Sequence, residues 1–164
     1  MMEFREALEK LESSEAFKRW HQENKESYLS HAFIMVDDSV KEEWQIGYAS
    51  PKDEKITTFD VSEKILKNPE SEAFKDEKKI LPLHVKKVKL TLKDALLEAD
   101  KLQKEKYSAH SAFKKIVILQ NLELGQVWNI TYVTNTFKTL NMKFDAETGK
   151  VLKHELIDFF RVDK

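Results

Sequence analysis

The rhythm W-x-I-x-Y occurs twice in this chain, as Trp44-Gln45-Ile46-Gly47-Tyr48 and as Trp128-Asn129-Ile130-Thr131-Tyr132. Three large residues at period two share one face of a strand, so each copy calls for a layer to cover that face. Each also follows a Ser/His/Phe segment, Ser30-His31-Ala32-Phe33 and His110-Ser111-Ala112-Phe113, and each of those follows a charged amphipathic helix pattern. A helix-then-strands order that returns in this way points to a duplicated unit.

Periodicity extends the reading along the chain. Phe4, Ala7, Leu8 and Leu11 stand at helical spacing, Ser13-Ser14 offers a bend or a new cap, and Ala16, Phe17 and Trp20 begin a second apolar face. Residues 28–36, 44–48 and 55–61 read as strands, parted by the turn signals Asp37-Asp38-Ser39 and Ser50-Pro51-Lys52-Asp53. Residues 62–84 read as a connector with a short helix: Ser62 caps a turn, Asn68-Pro69 opens the helix, and Ala73-Phe74 add apolar surface.

In the second half, 85–90 reads as a strand. Thr91-Leu92-Lys93-Asp94 reads as a capping box, followed by the stripe Leu92, Ala95, Leu96, Ala99 and Leu102. Strands are expected at 112–119, 127–133, 137–144 and 151–157. Asp145-Ala146-Glu147-Thr148-Gly149 is the turn before the last of these, with Gly149 free to take the left-handed conformation. The predicted class is α+β, with two similar helix-plus-antiparallel-sheet units at 1–61 and 85–164 that pack sheet against sheet or run edge to edge.

The second half resembles a PepSY-type module, the small cystatin-like helix-plus-sheet unit of peptidase propeptides and many regulatory proteins. The resemblance rests on Leu90-Thr91-Leu92-Lys93-Asp94-Ala95-Leu96, on the 128–132 strand, and above all on Phe144-Asp145-Ala146-Glu147-Thr148-Gly149-Lys150-Val151-Leu152. It covers roughly residues 85–157. The first half is similar only through the internal repeat, since Thr58-Phe59-Asp60-Val61 stops without a Thr-Gly turn. The resemblance implies inhibitors, chaperone-like propeptides or ligand sensors, and the family has no shared catalytic residues.

Composition narrows the function classes. With no Cys there is no disulfide, thiolate site or cysteine nucleophile, and 3 Gly leave no phosphate-cradling loop or dinucleotide fingerprint. No serine stands in a nucleophile-elbow context. The 5 His include no zinc-like local spacing, although His31 and His110 hold similar places in the two units and could meet across a pseudo-twofold axis. Asp37-Asp38 with Glu42-Glu43 is acidic but lacks the spacing of a calcium loop. Lys86-Lys87-Lys89 and Lys114-Lys115 are basic, yet net charge is -1, which argues against a nucleic-acid surface. The first half is acidic and the second basic, so two halves could attract within a chain or between chains. No apolar run approaches a membrane span, and the charged N-terminal residues do not read as a signal peptide, so the cytoplasm is expected.

These readings converge on a non-catalytic protein- or peptide-interaction module, with peptidase regulation as its finer form, and on no cofactor and no metal. Trp44, Tyr48, Trp128 and Tyr132 are the candidate interaction residues if either aromatic row is open; packing under a helix would place them in the core instead. An extended partner segment adding to a sheet edge beside them would be the mechanism. A small-molecule binder with a cavity between helix and sheet, and a structural homo-oligomer, are the alternatives.

Overall fold

A computed structural model describes residues 1–72 and 79–159. The chain opens with two short helices, α1 (Phe4–Glu12) and α2 (Glu15–Glu23). They part at the serine pair: Ser13 ends α1, and the Ser14 hydroxyl accepts the Phe17 N–H as the cap of α2. α1 buries Phe4, Ala7, Leu8 and Leu11, the stripe its spacing predicts. Strands β1 (Tyr28–Val36), β2 (Trp44–Ala49) and β3 (Ile56–Val61) follow.

The connector differs from its expected form. Instead of a turn and a helix, Ile65–Lys67 forms a short strand, β4, which hairpins onto β3 through Val61 and Ile65. Ser71 then bridges Ile56, so the described residues 70–72 are not helical where a helix was expected. Asn68 is held by the sheet: its backbone N–H reaches Thr58 O, and its side chain reaches Thr58 and Asp60. Those tertiary bonds use the asparagine that would otherwise cap a helix. The first unit therefore does close with a hairpin, a tight one in which Ser62 N donates to Lys64 O. Ala73 and Phe74 lie outside the described residues.

Residues expected as a strand at 85–90 form a single 3-10 turn over Val85–Lys87. Lys89 and Leu90 both donate to Ala146 O, in the turn after β7, rather than to a neighbouring strand. Helix α3 (Leu92–Lys106) starts with the complete capping box, Thr91 accepting from Asp94 N and the Asp94 carboxylate accepting from Thr91 N. Glu3 strengthens that start, accepting from Leu92 N and Lys93 N at the positive end of the helix. Strands β5 (Ala112–Leu122), β6 (Gly125–Thr134), β7 (Lys138–Asp145) and β8 (Val151–Asp158) complete the chain. In the β7–β8 turn, Asp145 Oδ1 accepts from Glu147 N and Thr148 N, and Gly149 takes φ 80°.

All eight strands form one antiparallel sheet in the order β4-β3-β2-β1-β5-β6-β7-β8. The two expected units meet edge to edge at β1 and β5, with Phe33 opposite Ile118 and Met35 opposite Ile116. The fold is α+β, with the helices on one face. One continuous core joins α1, α2 and α3 to the inward residues of the strands.

Candidate interaction surface

The four aromatic residues singled out by the repeat lie in the core. Trp44, Trp128 and Tyr132 are all but inaccessible, and Tyr48 is 6% exposed. The helices cover the face on which period two places them, so Trp44, Trp128 and Tyr132 present no surface to a partner and Tyr48 shows only an edge at clefts beside α2. Each indole N–H donates to a carbonyl two residues before a helix begins, Trp44 to Met2 and Trp128 to Leu90. The two indoles meet at 6.4 Å between centroids. The Tyr132 hydroxyl donates a hydrogen bond to Asp100, which also pairs with Lys115 at 3.0 Å. Among the described residues Tyr48 has no such partner for its buried hydroxyl. Burial, with the Glu12 charge second, holds that phenol far above its ordinary range.

Among the described residues no helix covers the opposite face of the sheet, and register shows what that face presents. Residues directly opposed across antiparallel strands point to the same side. One row therefore crosses seven strands as Asp60, Gln45, Phe33, Ile118, Asn129, Lys143 and Lys153. The next runs Met35, Ile116, Thr131, Asn141 and Glu155. At its centre is a partly exposed apolar strip of Phe33, Met35, Ile116 and Ile118, and polar side chains flank the strip on both sides.

Those polar groups form ordered ladders. Asn129 Nδ2 donates to Gln120 Oε1 at 2.9 Å, Asn141 Nδ2 to Asn129 Oδ1 at 2.8 Å, and Lys143 Nζ to Asn141 Oδ1 at 2.6 Å. On the other flank Gln45 and Asn68 both donate to Asp60 Oδ1. The bonds fix each amide's orientation, so its remaining donors and acceptors face solvent in a set pattern. Desolvation, then the neighbouring Lys153 charge, holds the Lys143 ammonium below its usual range.

His31 stands on this face over Gly47, which pairs with it across the strands. A Cβ at position 47 would fall 2.2 Å from His31 Cε1, so any larger residue there would have to displace the imidazole. Burial lowers the proton affinity of His31, and its Nδ1 lies 2.9 Å from the Ser30 hydroxyl. It does not meet His110. His31 is opposite Gln120, whereas His110 precedes the start of the same strand, roughly 30 Å away at the rise of extended chain. His110 Nδ1 instead contacts the Thr136 hydroxyl at 2.6 Å. No cluster of three metal-capable side chains occurs among the described residues.

The acidic turn at Asp37 is a local structure, its Oδ1 accepting from Ser39 N and Oγ. Surface clefts occur beside α2, one of about 330 Å³ lined by Trp20, Asn24, Tyr48 and Lys55, another of about 470 Å³ lined by Glu12, Phe17, His21 and Tyr48. A third, of about 330 Å³, lies by His84, Asn121 and Asp145.

Sequence reasoning placed Gln45 and Gly47 on the face away from the tryptophan, and the same period-two rule gives Asn129 and Thr131. It did not find the ladders, because cross-strand register decides which amides meet. No helix among the described residues is long and apolar enough to cross a membrane.

No protein-family model matches the chain, and no curated protein matches it in sequence. Among solved structures, a candidate lipoprotein from Clostridium difficile 630 is similar, with a TM-score of 0.58 at 14% identity over 86% of this chain and 90% of that one. The likeness shows a shared fold. The YpeB C-terminal domain of Bacillus megaterium aligns over 93% of this chain and 68% of that one at 16% identity, but its TM-score of 0.27 carries no argument.

Proposed function

We propose that this chain is a non-catalytic module that binds a protein or peptide on the uncovered face of its sheet. The observation that carries the reading is the apolar strip of Phe33, Met35, Ile116 and Ile118, flanked by side-chain amides held in fixed orientations. An apolar centre with a polar rim is the usual anatomy of a recognition surface. A partner that fits places apolar side chains on the strip and polar groups on the ladders. Regulation of a peptidase is the finer form of the reading, and it rests on the PepSY-type resemblance of residues 85–157.

The reading of the chain as two equivalent units has support of the same kind. The buried set Phe4, Ala7, Leu8 and Leu11 recurs as Leu92, Ala95, Leu96 and Ala99, and the two tryptophans make matching bonds to pre-helix carbonyls. The cytoplasm is the compartment proposed. Recovery of the protein with the cell envelope on fractionation would instead align it with the class named for the Clostridium protein.

Selection of a random peptide display library against the full chain tests the surface. Selected peptides should lose binding to Ile118→Asp and to Asn129→Ala variants whose far-UV CD matches the parent. Undiminished binding to both folded variants would sink the reading. Peptides that compete instead at the clefts beside α2 would favour the small-molecule alternative.

A further inference from the structure

Strand β8 forms one edge of the sheet, and its sequence is nearly self-complementary. Leu152-Lys153-His154-Glu155-Leu156 reads as a palindrome in chemical character. When two copies pair antiparallel about a twofold axis at His154, Leu152 lies opposite Leu156 and Lys153 opposite Glu155, each twice. We propose that β8 is the contact through which two copies of this chain join their sheets into one.

Register singles out this arrangement. Opposed residues must point to the same side of the sheet, which forbids pairing Lys153 with His154. Among the remaining alignments, a step one way places Lys153 on Lys153 of the second copy, and a step the other way places Glu155 on Glu155. Like charges directly opposite oppose pairing, and opposite charges favour it. Only the His154-centred register satisfies both charged positions. A foreign strand without an acid in register would meet the Lys153 charge, and an edge lysine is a common device for keeping edges single. The second copy meets that lysine with its own glutamate, so one residue excludes other strands and accepts this one.

The surroundings suit such a seam. Lys153 is exposed and Glu155 half-buried, their side chains 55% and 44% accessible and 3.9 Å apart within one copy. Leu152 and Leu156 are only partly buried. Leu140 lies opposite Leu156 and Met142 opposite His154, so Leu156 and His154 stand on the helix side and a second copy would extend the core there. Large apolar side chains, Val151, Ile157 and Phe159, are exposed along and just beyond the strand. A register shift between Lys143 and Phe144 leaves Leu152 without a partner on β7 and puts Val151 opposite Phe144, so the regularly paired stretch is Lys153–Leu156 and the two Lys153–Glu155 contacts about His154 carry the seam. With the axis normal to the sheet, both copies keep their helices on one side and their uncovered faces on the other. Lys153 and Glu155 stand at the β8 margin of the uncovered face, beyond the apolar strip to which partner binding is assigned.

Sedimentation equilibrium of the full chain over a wide concentration range is the first test, and a reversible monomer–dimer equilibrium is expected. Lys153→Glu and Glu155→Lys each place like charges opposite one another, and each should weaken self-association by roughly tenfold or more. Mixed together, these two variants should form a one-to-one heterodimer, because each supplies the charges the other lacks. The double reversal in one chain should restore the parent's self-association. A parent chain that stays monomeric at every concentration, or a dimer unchanged in both single variants, would overturn the proposal. Loss of dimer without recovery in the mixture would overturn it too. Both side chains reach solvent, and matching far-UV CD separates lost association from lost fold.

Discussion

Tyr48 and Tyr132 occupy corresponding positions in the repeat, but their hydroxyls have different fates. Tyr132 donates to Asp100, and the Lys115 ammonium sits 5.0 Å from the centre of its ring as well as on that carboxylate. Tyr48 buries its hydroxyl with no bonding partner among the described residues. A buried unbonded hydroxyl costs free energy, whereas a bonded one contributes a net stabilisation of about 1 kcal/mol. Tyr132→Phe should therefore lower stability by about 1–2 kcal/mol, while Tyr48→Phe should be neutral or stabilising. Urea denaturation of the two variants checks the contrast, and equal losses would show that the Tyr48 hydroxyl is bonded in solution. The sequence marks the two tyrosines as equals. What separates them is whether the neighbouring acid, Asp100 or Glu12, reaches the ring.

At the scale of elements, the best-read pieces are those whose bonds close within a few residues. The α3 capping box and the 145–149 turn are of this kind: the groups that satisfy the backbone are adjacent in the chain, so their order in sequence specifies the geometry. Hydrogen bonds from Thr148 N, then Glu147 N, hold the Asp145 carboxyl below the ordinary carboxylate range. A carboxyl whose folded value is depressed stabilises the fold above its unfolded value, near 3.9, and loses that contribution as pH falls through the folded value. Asp145→Ala should cost about 1–2 kcal/mol near neutral pH, and the gap between variant and parent should narrow below about pH 4. Chemical denaturation at neutral and acid pH measures it. A gap independent of pH would assign the loss to packing. The connector shows the opposite case. Asn68-Pro69 has the local chemistry of a helix start, yet Asn68 bonds to Thr58 and Asp60 on a strand already in place.

On the scale of the whole molecule, the seam between β1 and β5 decides the architecture. Two units that packed sheet against sheet would hide both strand faces. Joined edge to edge, they share one layer of helices and leave the other face open. A single core that spans the seam should unfold as one cooperative unit. Tryptophan fluorescence and far-UV CD are expected to give coincident urea transitions, and two separated transitions would mean that the halves are independently stable.

What the sequence determined by itself was the alphabet of elements: which residues alternate, which recur each helical turn, and which turns close locally, along with the α+β class that follows. Those properties depend on bonds and side-chain directions within a few residues, and they are legible wherever no distant group competes. Only the tertiary structure decided that the aromatic rows are covered, that His31 and His110 lie far apart, and that Gln120, Asn129 and Asn141 form a ladder. Strand order and register bring together residues far apart in the chain. Two arrangements with the same periodicity differ only in the long-range contacts that the whole core selects.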